Sequence, residues 1–166
     1  MALLIDGYNL LYASDIFPRA DEPATLERSR LALLDFLADV LPPKLAARTI
    51  VAFDAIHAPP GLPREHSHRG VGVRFAERGH TADELLEELI LAEPDPRHLL
   101  VVSSDHRIQR AARQQGANFT DSEPWYAEQL RLWREALDPR ATAEEKDVPP
   151  MANPFPPGYG EDLLGK

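Results

Sequence analysis

Four aspartates stand where apolar stretches of the chain end or where a helix begins. Asp6, Asp54 and Asp105 each lie at or just after the carboxyl end of an apolar run, and Asp83 lies in the first turn of a predicted helix. In open α/β sheets, ligand sites gather at the carboxyl edge of the strands because the loops there converge on one crevice. We therefore expect these four side chains to approach one another at that edge.

A cluster of this kind has a definite chemistry. Carboxylates held close together repel one another, and some stay protonated unless a cation compensates their charge. A site made only of oxygen ligands suits the hard divalent ions Mg²⁺ or Mn²⁺ better than zinc. Such an ion can activate water and stabilise negative charge on a phosphodiester. This chemistry needs no cysteine, and the 166 residues contain none.

Each aspartate also has a simpler structural interpretation. Asp6 could mark only a turn after a strand, and Asp105 could simply begin a helix. Thr81 and Glu84 have the spacing of a capping box, so Glu84 is predicted to cap the helix. Asp83 could be a first-turn acid that the helix dipole favours. The interpretation as a site depends on the four residues taken together.

The elements that would position these residues follow from the apolar pattern of residues 1–137. Short apolar runs alternate with amphipathic stretches, which indicates a three-layer α/β/α domain with a mostly parallel, Rossmann-like sheet. Strands are predicted over 2–6, 49–53, 71–75, 99–102 and 117–119, and helices over 25–41, 81–92, 106–115 and 123–137. Residues 138–166 hold six of the sixteen prolines and show no period. They are predicted to form a disordered tail.

The charge of the chain limits its partners. Its 18 basic and 27 acidic residues leave a formal charge of −9, which excludes a uniformly cationic nucleic-acid binder. Positive charge is nevertheless concentrated locally, and arginines near an acidic metal site could bind phosphates. We predict RNA contacts for Arg64, Arg69, Arg74, Arg78 and Arg107. For Arg107 a solvated helix face is an equal alternative.

Other features predict less specific properties. No apolar run approaches the roughly 18 residues that a membrane span needs, and the amino terminus does not resemble a signal peptide, so we expect a cytoplasmic protein.

The histidines of residues 57–80 match no standard zinc spacing, and this segment is predicted to be a mobile polar loop. Tyr8 could stack on a base or pack beside the first strand.

The motifs around these acids resemble those of a known family. Residues Leu4-Ile5-Asp6-Gly7-Tyr8-Asn9-Leu10-Leu11 resemble the first-strand motif of the NYN domains, which are relatives of the PIN-type nucleases. The stretches 51–55, 81–83, 103–105 and 116–117 resemble the later motifs of the YacP-like branch, in the same order. The resemblance covers residues 3 to about 122.

The resemblance implies a PIN-like fold and metal-dependent endoribonuclease activity on single-stranded RNA. Asp6, Asp83 and Asp105 would hold Mg²⁺ or Mn²⁺ as the core metal-binding acids. Asp54 would be a supporting acid, and Asn9 would form a hydrogen bond with the site or the scissile phosphate. The ribosome is a further candidate partner. No role is carried over to the stretch between Asp54 and Val71.

Two other functions are compatible with parts of this sequence. The first is a module that binds RNA or the ribosome and in which the acids have lost their catalytic role. The second is a phosphatase of the haloacid-dehalogenase type, which shares a leading strand that ends in aspartate. That chemistry needs a second acid two residues after Asp6, where this chain has Tyr8, so the phosphatase is disfavoured.

Overall fold

The computed structural model of the chain describes residues 1–16 and 23–138. Residues 1–133 form one compact unit, and residues 134–166 are a second, of which 134–138 are described. The predicted disordered tail therefore lies outside the described residues, apart from Asp138. The strands are β1 (Ala2–Asp6), β2 (Thr49–Phe53), β3 (Glu65–His68), β4 (Val71–Phe75), β5 (Leu99–Val102) and β6 (Asn118–Thr120). The α-helices are α1 (Gly7–Ala13), α2 (Pro23–Val40), α3 (Pro43–Ala46), α4 (Ala82–Ala92), α5 (His106–Gln115) and α6 (Ser122–Leu137).

The six strands form one sheet in the order β3-β4-β2-β1-β5-β6. Every neighbouring pair is parallel except β3 with β4, which pair as an antiparallel hairpin. The prediction of a mostly parallel α/β/α sheet is confirmed. The prediction of a mobile polar loop is wrong for Glu65–His68, which form strand β3. This strand was missed because its sequence Glu-His-Ser-His carries no apolar signal. It lies at the edge of the sheet, where backbone pairing with β4 is enough to hold it.

Two hydrophobic clusters cover the two faces of the sheet, because successive side chains of a strand point to opposite faces. On one face Ile5 and Phe53 pack with apolar residues of α1, α2 and α6. On the other face Leu4 and Ala52 pack with apolar residues of α4 and α5. Residues of both clusters are almost entirely buried. The helices are thereby held at fixed positions over the carboxyl edge of the strands.

Helix α1 begins immediately after β1, where the sequence indicated only a turn. The abrupt change of direction requires a glycine, because a Cβ at Gly7 would lie 2.8 Å from the carbonyl oxygen of Ala52 and would overlap the ring of Phe53. Tyr8, on the same helix, is 9% exposed and packs edge-on against Phe53, with ring centroids 5.0 Å apart. Its packing interpretation is therefore confirmed.

The capping box predicted at the start of α4 is confirmed, and a glycine ends α5. Thr81 and Glu84 form a complete capping box at the start of α4. Gly116 ends α5 in the left-handed conformation, with φ of 76°. Within residues 1–16 and 23–138, no helix combines the length and the apolar character that a bilayer crossing requires.

Candidate active site at the carboxyl edge of the sheet

The candidate site lies where the strand order reverses. From β1 the chain proceeds to β2 and β4 on one side and later to β5 and β6 on the other. The carboxyl ends of β1 and β5 therefore flank the crevice at which α/β sheets commonly bind ligands. Asp6 ends β1, and Ser103, Ser104 and Asp105 follow β5 directly.

Asp6 is a buried acid, with only 7% of its surface exposed. Its Oδ2 accepts a 2.9 Å hydrogen bond from the hydroxyl of Ser103. Burial, together with the charges of Asp83 and Asp105, raises the pKa of Asp6 to about 6, against the lowering effect of hydrogen bonds from the Ser103 hydroxyl and the backbone of Asn9. Near neutral pH this site thus holds a carboxylate whose negative charge is poorly compensated by the protein.

Asp83 and Asp105 each stand at the start of a helix. Asp83 lies in the first turn of α4, and its pKa is raised by burial and by the charge of Asp105. Asp105 caps α5, where its Oδ1 accepts a 2.8 Å hydrogen bond from the backbone N–H of Arg107. Together with Asp6, these residues form three carboxylates of which each interacts electrostatically with the other two. We call these three residues the acid cluster.

Asp54 has a positioning contact in addition to its charge. Its Oδ1 accepts a 2.6 Å hydrogen bond from the backbone N–H of Ala82, the first residue of α4. This bond ties the end of β2 to the helix that carries Asp83. The charge of Asp54 also raises the pKa of Asp83, so the two carboxylates lie near each other.

The Asn9 side chain connects three segments around the site. Its amide oxygen accepts hydrogen bonds from the backbone N–H of Ser104, at 2.9 Å, and from the hydroxyl of Ser122, at 2.6 Å. Because a backbone N–H can only donate, the atom that faces Ser104 is the oxygen and not the nitrogen. Asn9 therefore fastens α1 to the β5–α5 loop and to the start of α6.

Sequence reasoning did not single out the serines that complete this arrangement. Ser103 donates to Asp6 and accepts from the backbone N–H of Asp105, at 3.1 Å. The hydroxyl of Ser104 donates to Glu123, at 2.7 Å, and accepts from the backbone N–H of Ser122, at 2.9 Å. The only sequence signal was the Ser103-Ser104 pair directly after an apolar strand.

The donor atoms of the acid cluster fit a hard divalent cation. All are carboxylate oxygens, and their mutual repulsion would be relieved by positive charge. Among the described residues, no three Asp, Glu or His side chains are arranged to hold one metal ion together. Mg²⁺ does not need such an arrangement, since it usually keeps several waters and is bound through one or two carboxylates.

The arginines predicted to contact RNA lie in different places. Arg69 lies in the turn before β4, at the opposite edge of the sheet, and its guanidinium binds Asp39 at 2.7 Å and Asp35 at 3.3 Å. Arg74, on β4, donates to Glu65 across the hairpin at 2.9 Å. Arg64 and Arg78 line a cleft beside the loop that follows β2.

Arg107 lies close to the acid cluster but is held by Glu87. Its Nε and one terminal nitrogen bind the two oxygens of Glu87 at 2.7 and 2.8 Å, a two-pronged ion pair between α5 and α4. The guanidinium also lowers the pKa of Asp83, one helical turn before Glu87. It is therefore the arginine that acts most directly on the charge of the cluster.

Comparisons with known proteins give consistent results. The sequence model of the YacP-like NYN domain matches residues 3–152. The Bacillus subtilis protein described as uncharacterized protein YacP is 33% identical over 118 residues, which cover 69% of this chain but only 66% of that protein, slightly under two thirds. The crystal structure of Rae1 (YacP) from Bacillus subtilis is similar with a TM-score of 0.67 and 29% identity, over 88% of this chain and 83% of that one. Its W164L mutant gives a TM-score of 0.65 at 26% identity, over 89% and 86% of the two chains.

Proposed function

Because the chain belongs to the YacP-like NYN domain family, we propose that it is a metal-dependent endoribonuclease that cleaves single-stranded RNA. The observation that carries the proposal is the acid cluster. Asp6, Asp83 and Asp105 come from three separate segments, and the charge of Asp105 raises the pKa of both Asp6 and Asp83, while that of Asp83 raises the pKa of Asp6. A fold that accepts this repulsion at the crevice of its sheet is suited to binding a cation there.

In this proposal the acid cluster of Asp6, Asp83 and Asp105 attracts Mg²⁺ or Mn²⁺. One or two of these carboxylates would bind the ion directly and the rest through its waters, and Asp54 supports Asp83 by anchoring the start of α4. The bound ion would lower the pKa of a coordinated water and neutralise charge on the phosphodiester. Asn9 holds the β5–α5 loop, and thereby Asp105, in position. A water that attacks phosphorus while the bond to the 3′-oxygen breaks leaves a 5′-phosphate and a 3′-hydroxyl.

RNA would be the substrate and partner, with its phosphates bound by Arg64, Arg78 and Arg107. Arg69, at the opposite edge of the sheet, and Arg74 are paired with carboxylates and are not part of this surface. The ribosome is a further proposed partner, and the cytoplasm is the proposed location. Arg64, Arg78 and Arg107 supply the local positive charge that a protein of net charge −9 needs in order to bind a polyanion.

The test is cleavage of an end-labelled single-stranded RNA with Mn²⁺ or Mg²⁺ and with a chelator. We expect cleavage that requires the metal and is reduced by more than about 100-fold in Asp6→Asn and Asp83→Asn, since the ligands of a catalytic metal are removed. Asp95→Asn is the matched control, because Asp95 is exposed and precedes β5 at the opposite edge of the sheet. Equal cleavage by the wild type and both site variants would refute the proposal.

The nature of the ends gives a second readout. A nucleophilic water does not use the ribose 2′-hydroxyl, so RNA with 2′-O-methyl groups should still be cut, and no 2′,3′-cyclic phosphate should form. The rival function, an RNA-binding module without activity, predicts that binding survives Asp6→Asn and that the wild type produces no cleavage. Cyclic phosphate ends would contradict the proposed mechanism.

A further inference from the structure

A cleft of about 510 Å³ lies beside Asp54 and is separate from the acid cluster. Its walls include Ala55, Ile56, Pro60, Leu62, Arg64 and Arg78, and we call it the loop cleft. Ala55 directly follows Asp54, and Asp54 accepts a hydrogen bond from Ala82, three residues after Gly79 at the rim of the cleft. The loop cleft therefore opens next to Asp54, whose charge acts on Asp83 of the acid cluster. Its volume lies within the range of roughly 300–1,000 Å³ that is usual for ligand sites.

One side of the loop cleft is apolar and open to water. Ile56 is 86% exposed and Leu62 is 49% exposed, and Pro59 and Pro60 lie between them along the chain. Apolar side chains in such a position favour contact with a flat apolar surface, because burial removes them from water. The faces of an unpaired nucleobase are surfaces of this kind.

The other side of the loop cleft is cationic. The nearest carboxylate to Arg64 is Glu77, at 4.0 Å, and that carboxylate is itself 77% exposed. Arg78 forms no ion pair with any residue of the ranges 1–16 and 23–138. By contrast, Arg69 and Arg107 are bound by carboxylates at 2.7 Å. Arg74 binds Glu65 at 2.9 Å. Arg64 and Arg78 are thus the two arginines of the predicted set that have no carboxylate closer than 4.0 Å among the described residues.

A second cleft, of about 320 Å³, continues from the first. Arg64 and Ala76 line both clefts. The second cleft alone is also lined by three acidic residues, Glu65, Glu77 and Glu88, and by Arg74, Phe75, His80 and Leu85. The surface next to Asp54 therefore extends from the loop after β2 to the side of α4, and its cationic part is the loop cleft.

We propose that the loop cleft binds one unpaired nucleotide of the RNA next to the scissile phosphate. Its base lies against Ile56 and Leu62, and Arg64 and Arg78 bind its phosphates. This inference rests on the proposed function, whose substrate it specifies. Base-paired RNA is excluded because a base inside a duplex stack cannot reach the apolar wall. Arginine suits the phosphate contacts because its planar guanidinium donates two parallel hydrogen bonds.

The first experiment measures binding without cleavage, in an Asp83→Asn background, with a labelled 12-nucleotide single-stranded RNA. Arg64→Ala/Arg78→Ala should reduce the slope of log affinity against log salt by about 1.4, which corresponds to a loss of about 25-fold at 0.1 M salt. Arg48→Ala/Arg97→Ala removes the same charge at the opposite edge of the sheet and should change affinity by less than about twofold. Equal effects of the two double variants would overturn the proposal.

The second experiment tests the base contact. Ile56→Ser should weaken binding of the intact RNA, but should leave unchanged the binding of RNA with an abasic nucleotide at one particular position. If Ile56→Ser weakened every abasic RNA equally, or if duplex RNA bound as tightly as single-stranded RNA, the base contact would be refuted. Because Ile56 is exposed, this substitution does not threaten the core.

The two proposals can fail separately. Cleavage by the chain with an intact acid cluster tests the nuclease, whereas binding in the Asp83→Asn background tests the loop cleft. Binding that depends on Arg64 and Arg78 without any cleavage would support the cleft and refute the nuclease. If cleavage required the metal but Arg64→Ala/Arg78→Ala bound RNA as tightly as the chain with both arginines, the loop-cleft proposal alone would be refuted.

Discussion

The hydroxyl of Ser103 donates a 2.9 Å hydrogen bond to the carboxylate of Asp6, a residue 97 positions earlier in the chain. The bond joins the carboxyl ends of β5 and β1, the two strands that flank the reversal in strand order. Among the effects on the pKa of Asp6, it is the strongest that opposes burial. Ser103 is itself completely buried, so no solvent competes for this bond.

Ser103→Ala should raise the pKa of Asp6 further above 6. A hydrogen bond to a charged group contributes about 1.5–3 kcal/mol, and one pKa unit corresponds to about 1.4 kcal/mol, so the increase should be about one to two units. The measurement is a titration of Asp6 followed by carboxyl carbon NMR. Ser67→Ala, at an exposed position on β3, should leave the titration unchanged. An unchanged titration in Ser103→Ala would mean that the bond does not stabilise the charged form.

Asp6→Asn should stabilise the fold at neutral pH while it removes activity. The pKa of Asp6 rises from 3.8 to about 6 on folding, so the native state disfavours the ionised form. This penalty is absent below pH 4, develops between pH 4 and 6, and is complete above pH 6, where it amounts to at most about 3 kcal/mol.

The predicted stabilisation by Asp6→Asn is tested by measuring the free energy of unfolding in urea for the wild type and the variant at several pH values. The gain from Asp6→Asn should be largest near pH 7.5 and should shrink as the pH falls towards 4. Mn²⁺ should stabilise the wild type more than the variant, because the ion binds the native carboxylates. A gain that grew towards acid pH would contradict the assignment of the raised pKa.

Glu87→Gln should weaken RNA binding through Arg107. The substitution removes the charge that orients the guanidinium at 2.7 and 2.8 Å, and a misplaced arginine binds phosphate less well. We expect KM to increase by about threefold to tenfold with kcat nearly unchanged, since a binding contact that is equal in the ground and transition states is lost. Stability should change by less than about 1 kcal/mol, because the ion pair is partly exposed.

Glu88→Gln provides the control, because Glu88 is the next residue of α4 and binds no arginine among the described residues. Arg107→Lys keeps the charge but loses the two-pronged contact, and it should resemble Glu87→Gln. If Glu88→Gln had the same effect, the cause would be the general charge of α4 and not the orientation of Arg107.

Gly7→Ala should destabilise the fold by more than about 2 kcal/mol, because overpacking forces neighbouring groups to shift. The new methyl group would overlap the Phe53 ring and the Ala52 carbonyl, which are both buried. Gly116→Ala is the comparison, since that position has open space and only an unfavourable φ of 76°, which costs about 1–2 kcal/mol. Thermal unfolding of Gly7→Ala and Gly116→Ala measures the loss of stability in each variant. If Gly7→Ala lost less than about 2 kcal/mol of stability, the backbone between β1 and α1 would be able to shift and make room for the methyl group.

Most of the fold could be predicted from the sequence because its central strands β1, β2 and β5 are short, apolar and buried on both faces. Such strands are visible as continuous apolar runs. Helix α1 and strand β3 could not be predicted in this way. Helix α1 has only seven residues and follows β1 with no intervening loop, and β3 has a polar sequence that is held by pairing at the edge.

The sequence by itself determined which acids stand at strand ends and helix starts, because local apolar patterns end at those positions. Only the tertiary structure decided how they act together. Ser103 meets Asp6 across 97 residues, and Asn9 meets Ser122 across 113. Such contacts depend on the order in which strands pair, and no local pattern of side chains records that order. The tertiary structure likewise separated Arg64 and Arg78, which line the loop cleft, from Arg69, because the β3–β4 turn places Arg69 at the far edge of the sheet.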